Sequence, residues 1–236
     1  MSGPNDPTNR SRSNAGKGVV RPSDAIFEAL RLDIAVGRLK PRERLIEYDL
    51  CQRFGTSNHN VRHAFELLDR VGLIERRANR GVEVKALTRQ ELSDLYEIRL
   101  VLQREGALKI DMARRGALVH RLEQINDRYE AALDEHNVEE AVVANDAFHM
   151  ATFDFCLNAE LASLQRIYWL KASAIISRVL TDKALADASR LDHADIIAAL
   201  RMGDSAALVE AAVRHVRPAV DAYRKIYGLT DEGMIL

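Results

Sequence analysis

From Thr88 to about Tyr227 apolar residues recur every three or four positions, with only short interruptions. No run in that stretch alternates with the period of two that a half-buried strand requires. The interruptions fall at Gly116, near Asn137, at Asn158-Ala159, near Thr181-Asp182 and at Gly203-Asp204. They predict helices at about 88–115, 118–135, 138–157, 160–180, 184–202 and 204–227. Leu118, Leu122, Ile125 and Tyr129 show the spacing of an amphipathic helix. Breaks this short make neighbouring helices antiparallel, so the expectation is an all-α antiparallel six-helix bundle. Few aromatics (6%) and abundant Ala, Leu, Arg and Glu agree with helix. No apolar run approaches the roughly 18 residues that span a bilayer, and no signal peptide is expected.

The chain before Thr88 is organised differently. Residues 1–20 are rich in Ser, Asn, Gly and Pro and read as a disordered tail. Ser23 is the expected cap of a first helix with Phe27, Leu30 and Ile34 on one face, stopped by Gly37. A second helix is expected from Ile46 to Phe54, ending at Gly55. Ser57 caps a third, whose Val61, Ala64, Phe65 and Leu68 make one apolar stripe before Gly72. Two short β-rich runs, Leu73–Arg77 and Val82–Val84, then flank an Asn/Gly turn and predict a hairpin. Three helices and a hairpin make a winged helix-turn-helix. The chain is thus expected to be mainly α, with domains at 21–86 and 87–228 and a short tail at 229–236.

In that arrangement the third helix would enter a DNA major groove. Its outward side chains Asn58, His59, Asn60, Arg62 and His63 are all able to hydrogen-bond, which suits base edges and phosphates. Arg76, Arg77 and Arg80 lie on the hairpin. Residues 1–86 carry 16 Lys/Arg against 11 Asp/Glu, and residues 87–236 carry 18 against 24. A basic end on an acidic body fits a nucleic-acid contact confined to that end, although so modest an excess also arises by chance. Cys51 and Cys156 form no CxxC pair, which fits a reduced cytoplasm rather than a disulfide scaffold.

Three of the seven histidines lie on apolar helical faces. Asn145 and His149 are one turn apart and share a face with Val142 and Phe153. His193 lies with Ile196, Ile197 and Leu200, and His215 with Leu208, Ala212, Ala219 and Tyr223. Each alone reads first as a hydrogen-bonded core histidine. Together, on three helices of one bundle, they can also converge on a metal.

The first region resembles the GntR superfamily of bacterial transcription regulators. The residues that carry the likeness are Ala35–Leu45, Val61-Arg62-His63-Ala64 and Gly72–Val82. The second resembles that superfamily's FadR-type FCD ligand-sensing bundle, in its shorter, VanR-like six-helix branch. There the carriers are Leu95–Arg99, Phe148-His149, His193 with Ile196–Leu200, and His215. Together they cover about 21–227.

The resemblance implies operator contacts from Tyr48, Ser57, Asn58, His59, Asn60, Arg62, Arg80 and Gly81. Tyr48 and Asn58 stand where relatives usually carry arginine, so the usual operator core is not implied. Arg42 stands where they usually carry glycine. The resemblance also implies a divalent metal held by an Asp or Asn one turn before a histidine, and by two later histidines about 22 residues apart. Those positions are Asn145, His149, His193 and His215, with Asp146 as a substitute for Asn145. Imidazole-rich sites suit Zn²⁺ or Ni²⁺. An all-neutral ligand set leaves the metal's charge uncompensated and favours a small carboxylate effector. Arg99 and Arg178 are its candidate partners, though Arg99 reads equally as a surface arginine.

The expectation is a DNA-binding regulator, a homodimeric repressor in the cytoplasm with no membrane contact. A metal- or small-molecule-binding protein with altered or lost DNA binding is the alternative. A metal-dependent hydrolase is weaker still, since HExxH, nucleophile-elbow and P-loop motifs are missing from the sequence.

Overall fold

The computed structural model describes residues 21–77, 81–173, 175, 176 and 182–218. Residues 1–20, residues 78–80 with Arg80, Arg178 and the residues from 219 onward lie outside the described residues.

Helix α1 spans Pro22–Ala35. Proline suits the first helical position, where its preset φ helps and its missing N–H is not needed. The helix therefore starts two residues earlier than the sequence suggested, with Arg21 as cap, and the expected cap Ser23 is buried inside it. Two faces of α1 are covered. Ile26, Leu30 and Ile34 pack with Phe65 and Leu68, while Leu32, Ala35 and Val36 pack against Tyr129, Ala132 and Val142 of the bundle.

Helix α2 spans Glu47–Phe54 and stops at Gly55, whose φ of 58° is left-handed. Helix α3 spans Asn58–Arg70 and buries Val61, Ala64, Phe65 and Leu68 completely. Ser57 is its cap residue by position but makes no side-chain cap bond.

The hairpin is β2 (Ile74–Arg77) with β3 (Gly81–Val84), paired antiparallel. A third strand, β1 (Arg44–Leu45), adds to the far edge of β3. Two residues are too short for a period-two pattern, so the sequence did not announce β1. Its entry is held by Arg42 N–H to Val84 O at 2.8 Å and Val84 N–H to Glu43 O at 2.9 Å. That geometry puts Arg42 at a φ of 68°.

The bundle follows directly. Helix α4 (Arg89–Leu108) opens on a capping box, in which Thr88 and Glu91 exchange side-chain and backbone bonds. The expected helix to 115 ends early. Ile110 bridges Cys156, and Asp111 N–H bonds Phe155 O at 2.9 Å. Asp111 then caps a 3₁₀ turn at Met112–Arg114, accepting from Ala113 N–H at 3.1 Å. Gly116 is not a break but lies in the first turn of α5 (Arg115–Asp134).

Helices α6 (Val138–Asp154) and α7 (Ala159–Lys171) come next. The expected helix over 160–180 is interrupted at Ala172. The Ser173 hydroxyl donates to Leu170 O at 2.8 Å, a local bond that competes with the helical ladder. Helix α8 (Lys183–Met202) ends on left-handed Gly203, and α9 (Ser205–Arg214) completes the set. The expected run from 204 onward breaks at His215-Val216. Pro218 has no N–H for the Arg214 carbonyl, and its ring would clash there. Among the described residues six helices of ten residues or more follow the wing.

The left-handed φ of Arg42 costs a residue with a Cβ about 1–2 kcal/mol, part of which glycine returns through unfolded-chain entropy. Arg42→Gly is expected to raise stability by about 0.5–1 kcal/mol, read from the urea midpoint. A lower midpoint would show that the arginine side chain contributes more than its backbone costs.

Candidate metal centre and nucleic-acid interface

Asn145 and His149 lie on α6 and His193 on α8, and all three are buried. His215 follows the last residue of α9. One nitrogen from each of His149, His193 and His215 lies within 4.8 Å of the others. The Nε2 atoms of His149 and His215 are 3.0 Å apart. Two ligands at a tetrahedral zinc sit about 3.3 Å apart, from Zn–N bonds of 2.0–2.1 Å.

The neighbours select which nitrogen faces inward. Asn126 commits its amide N–H to Glu130 at 2.7 Å, which turns its oxygen toward His193. His193 Nδ1–H therefore donates to Asn126 Oδ1 at 3.2 Å. Its Nε2 keeps a lone pair, is buried and has no hydrogen-bond partner among the described residues. Asp192 Oδ2 stands 3.5 Å from His215 Nδ1, the place of the carboxylate that commonly orients a metal-binding imidazole. Burial raises the Asp192 pKa, but His215 and Arg214 outweigh it and hold the group below its usual value. An inward lone pair on a buried imidazole is what a divalent ion requires, so the donor set fits one.

Asp146 is not in this cluster. Its two oxygens accept from Arg31 Nη1 and Trp169 Nε1, each at 2.7 Å. It is thus engaged away from the histidines and is no substitute ligand in this arrangement. Asn145 instead lines a cavity with Arg99, Trp169, Asp192 and His215. The cavity is about 400 Å³ with its open mouth, and the space open to a water centre is about 20 Å³. That admits roughly one water or an ion, so a larger ligand needs the walls to part.

Arg99 is not a surface residue. It is buried, with its guanidinium 4.8 Å from the Tyr96 ring centroid and 5.3 Å from that of Trp169. Among the described residues no carboxylate pairs with it, and its Nη1 has no hydrogen-bond partner. Burial holds its pKa below the usual arginine value. Arg178 lies outside the described residues. Sequence reasoning missed Asn126, Asp192 and Trp169. Only Asp192, adjacent to His193, carried any local signal.

The helix-turn-helix exposes Tyr48, Ser57, Asn58, His59 and Arg62 on one side, with Gly81 exposed on the wing. Several are tied to neighbours. Arg62 Nε donates to Glu47 at 2.9 Å, Asn58 Oδ1 accepts from the Cys51 thiol at 3.1 Å, and half-buried Asn60 donates to Thr56 at 2.8 Å. Arg77 is paired with Glu75 and Glu83.

Residues 94–218 match the FCD domain. Residues 22–84 match the bacterial regulatory proteins of the gntR family. A Bacillus subtilis (strain 168) protein named uncharacterized HTH-type transcriptional regulator YdhC is 30% identical over 139 residues, 58% of this chain and 62% of that protein. The match thus spans under two thirds of that relative's length. The HTH-type transcriptional repressor RspR of Escherichia coli (strain K12) is 27% identical over 214 residues, 85% of this chain and 88% of RspR. The structure of E. coli McbR/YncC superposes with a TM-score of 0.72 at 17% identity, over 88% of this chain and 100% of that one. At that identity the likeness is one of fold. Among the described residues no helix is long and apolar enough to cross a membrane.

Burial, followed by neighbouring imidazoles, holds His149 and His193 well below the ordinary histidine value. An unfolded chain takes up these protons near pH 6.5, and the folded chain does not. Stability from this source is complete above about pH 6.5 and is lost as pH falls below it. The expected slope in metal-free protein is at most about 1.4 kcal/mol per pH unit for each proton. Urea midpoints between about pH 7.5 and about pH 5.5 check this, and a flat profile would rule out neutral imidazoles here.

Proposed function

The chain is a transcriptional regulator of the GntR family with an FCD domain, and we propose that it is a homodimeric repressor controlled by a small organic acid held at a metal inside the bundle. The observation that carries this reading is that His215, one of three clustered imidazoles, lines one cavity with Asn145 and with a buried arginine that no carboxylate pairs among the described residues. His149, His193 and His215 would hold Zn²⁺ or Ni²⁺, with the Asn145 carbonyl oxygen as a fourth donor. The metal would supply an open, positively charged position for an anion. All four protein donors are neutral, Arg99 adds a further cation on the same cavity, and the Asp192 carboxylate beside them is already paired with Arg214. Uncompensated charge in a dry site is costly, so the natural occupant is an anion. A carboxylate can accept two parallel bonds from a guanidinium. Arg178 is proposed as a second arm.

The chain's DNA-reading residues are proposed to be Tyr48, Ser57, Asn58, His59, Asn60 and Arg62, with Arg80 and Gly81 at the wing. One recognition helix reads too few base pairs for useful selectivity, which is the reason for two heads. Asn58, in the place of a common arginine, suits adenine rather than guanine. The similar protein named a repressor supports the sign of control.

Purified protein is expected to carry, or take up, about one Zn²⁺ or Ni²⁺ per chain by elemental analysis, as one His₃-type site implies. His193→Ala should lose it, and native protein that cannot be loaded would remove the metal from this account. Arg99→Ala should keep its metal but no longer release DNA when a panel of small carboxylic acids is added. Release equal to native would remove Arg99. Arg62→Ala should weaken binding to fragments selected from genomic DNA by about 1–3 kcal/mol, or roughly 5- to 150-fold. Unchanged affinity in a gel-shift titration would sink that assignment.

A further inference from the structure

Consecutive side chains of α6 serve different partners. Asn145 lines the cavity that Arg99 and His215 also line. Asp146 reaches across to α1 of the DNA-binding head, where Arg31 Nη1 donates to its Oδ2 at 2.7 Å. The Arg31 side chain is only 8% exposed, so this ion pair between head and bundle is screened from water. The other Asp146 oxygen accepts the indole N–H of Trp169 at 2.7 Å. The Trp169 ring stacks on His149 with centroids 4.0 Å apart, and Arg99 lies over the same ring. An unbroken path of touching groups therefore runs from the head helix to the histidine cluster.

We infer that Asp146 is the positioning residue that ties the DNA-binding head to the metal and effector cavity. The identity of the signal rests on the function proposed above, but the path itself does not. One carboxylate holds both the arginine and the indole in directional bonds. If Trp169 shifts because His149 or Arg99 has engaged a ligand, the carboxylate must follow it or release it. Release would leave a buried cation without its partner, so following is favoured and α1 moves. A second ion pair between head and α6, Arg38 with Glu139, is half exposed on both sides and contributes little, and the apolar packing of Leu32, Ala35 and Val36 on the bundle carries no directional bond. By reciprocity, DNA bound at the head must alter the cavity by the same factor.

Trp169 is the chain's only tryptophan, so its fluorescence reports the middle of the path. The experiment titrates full-length protein with ZnCl₂ alone and with a duplex that the protein has selected from random-sequence DNA. In native protein the duplex is expected to change Trp169 emission, and Zn²⁺ affinity to differ by about 5- to 150-fold between free and DNA-bound protein. The pair Arg31→Gln with Asp146→Asn removes both charges together and leaves no buried ion alone. In it Zn²⁺ and DNA should each still bind, but the duplex should leave Trp169 emission unchanged and the two affinities should be independent. If coupling and the emission change persist in that pair, the inference is overturned. It is equally overturned if DNA never alters Trp169 in native protein. Native protein that takes up no Zn²⁺, yet shows a DNA-dependent emission change that the pair abolishes, supports the path and overturns the metal reading instead. Asp146→Asn alone, with circular dichroism as the fold check, applies the same criteria should the double variant not fold.

Discussion

His193 is fully buried and lies face to face on Phe148, with ring centroids 3.9 Å apart. A positive charge there would lose its hydration without compensation, so the ring stays neutral and keeps one N–H and one lone pair. Asn126 takes the N–H, which leaves the lone pair to face the other imidazoles. His149 is subject to the same constraint, packed between Trp169 and His215. Much of the bundle's interior follows from these demands. Asn126 must be turned by Glu130, His215 must stand beside Asp192, and Trp169 must cap the cluster while its N–H reaches outward.

Helix α1 shows how the head depends on that interior. A helix that served only the head would bury one stripe. This one buries two, and between them places a nearly inaccessible arginine against the bundle. The connection from β3 to α4 is equally tight, since Val84 and Thr88 are separated by three residues and Lys85 pairs with Glu91. Lys85 and the Thr88 N–H hold the Glu91 carboxyl below its usual value. Head and bundle are thus joined by packing and ion pairs as well as by the chain, which a regulator needs if one is to influence the other.

The groups proposed to meet DNA are organised by their own surroundings. Arg62 lies against Glu47, so its guanidinium is presented in one direction before any contact with a base. Arg77 is balanced by two glutamates on the wing. The basic excess of the first 86 residues is therefore a poor guide to which cations face a phosphate. Cys51 meets Asn58 across the turn between α2 and α3, which couples the first residue of the recognition helix to the helix before it.

Much of the winged head was legible, though not β1 or the start of α1. Its stripes, its stop at Gly55 and its hairpin are local patterns, and local patterns express the geometry of a single helix or turn. Asn145 and His149 were legible for the same reason, as one turn of one helical face. The end of α4 was not, because the Ile110–Cys156 bridge joins segments far apart in the chain. Nor were Asn126, Asp192 and Trp169 as neighbours of the histidines, since each contact crosses between helices. Asp146 is the instructive case. Adjacent helical residues point about 100° apart, so the sequence by itself determined that Asn145 and Asp146 lie in different directions on α6, while each stays within one turn of His149. Which of them faced the cavity with His215 and which met Arg31 depended on how α6 was rotated against α1, α7 and α8. That rotation was set by packing around it, a balance of distant side chains that no local spacing encodes.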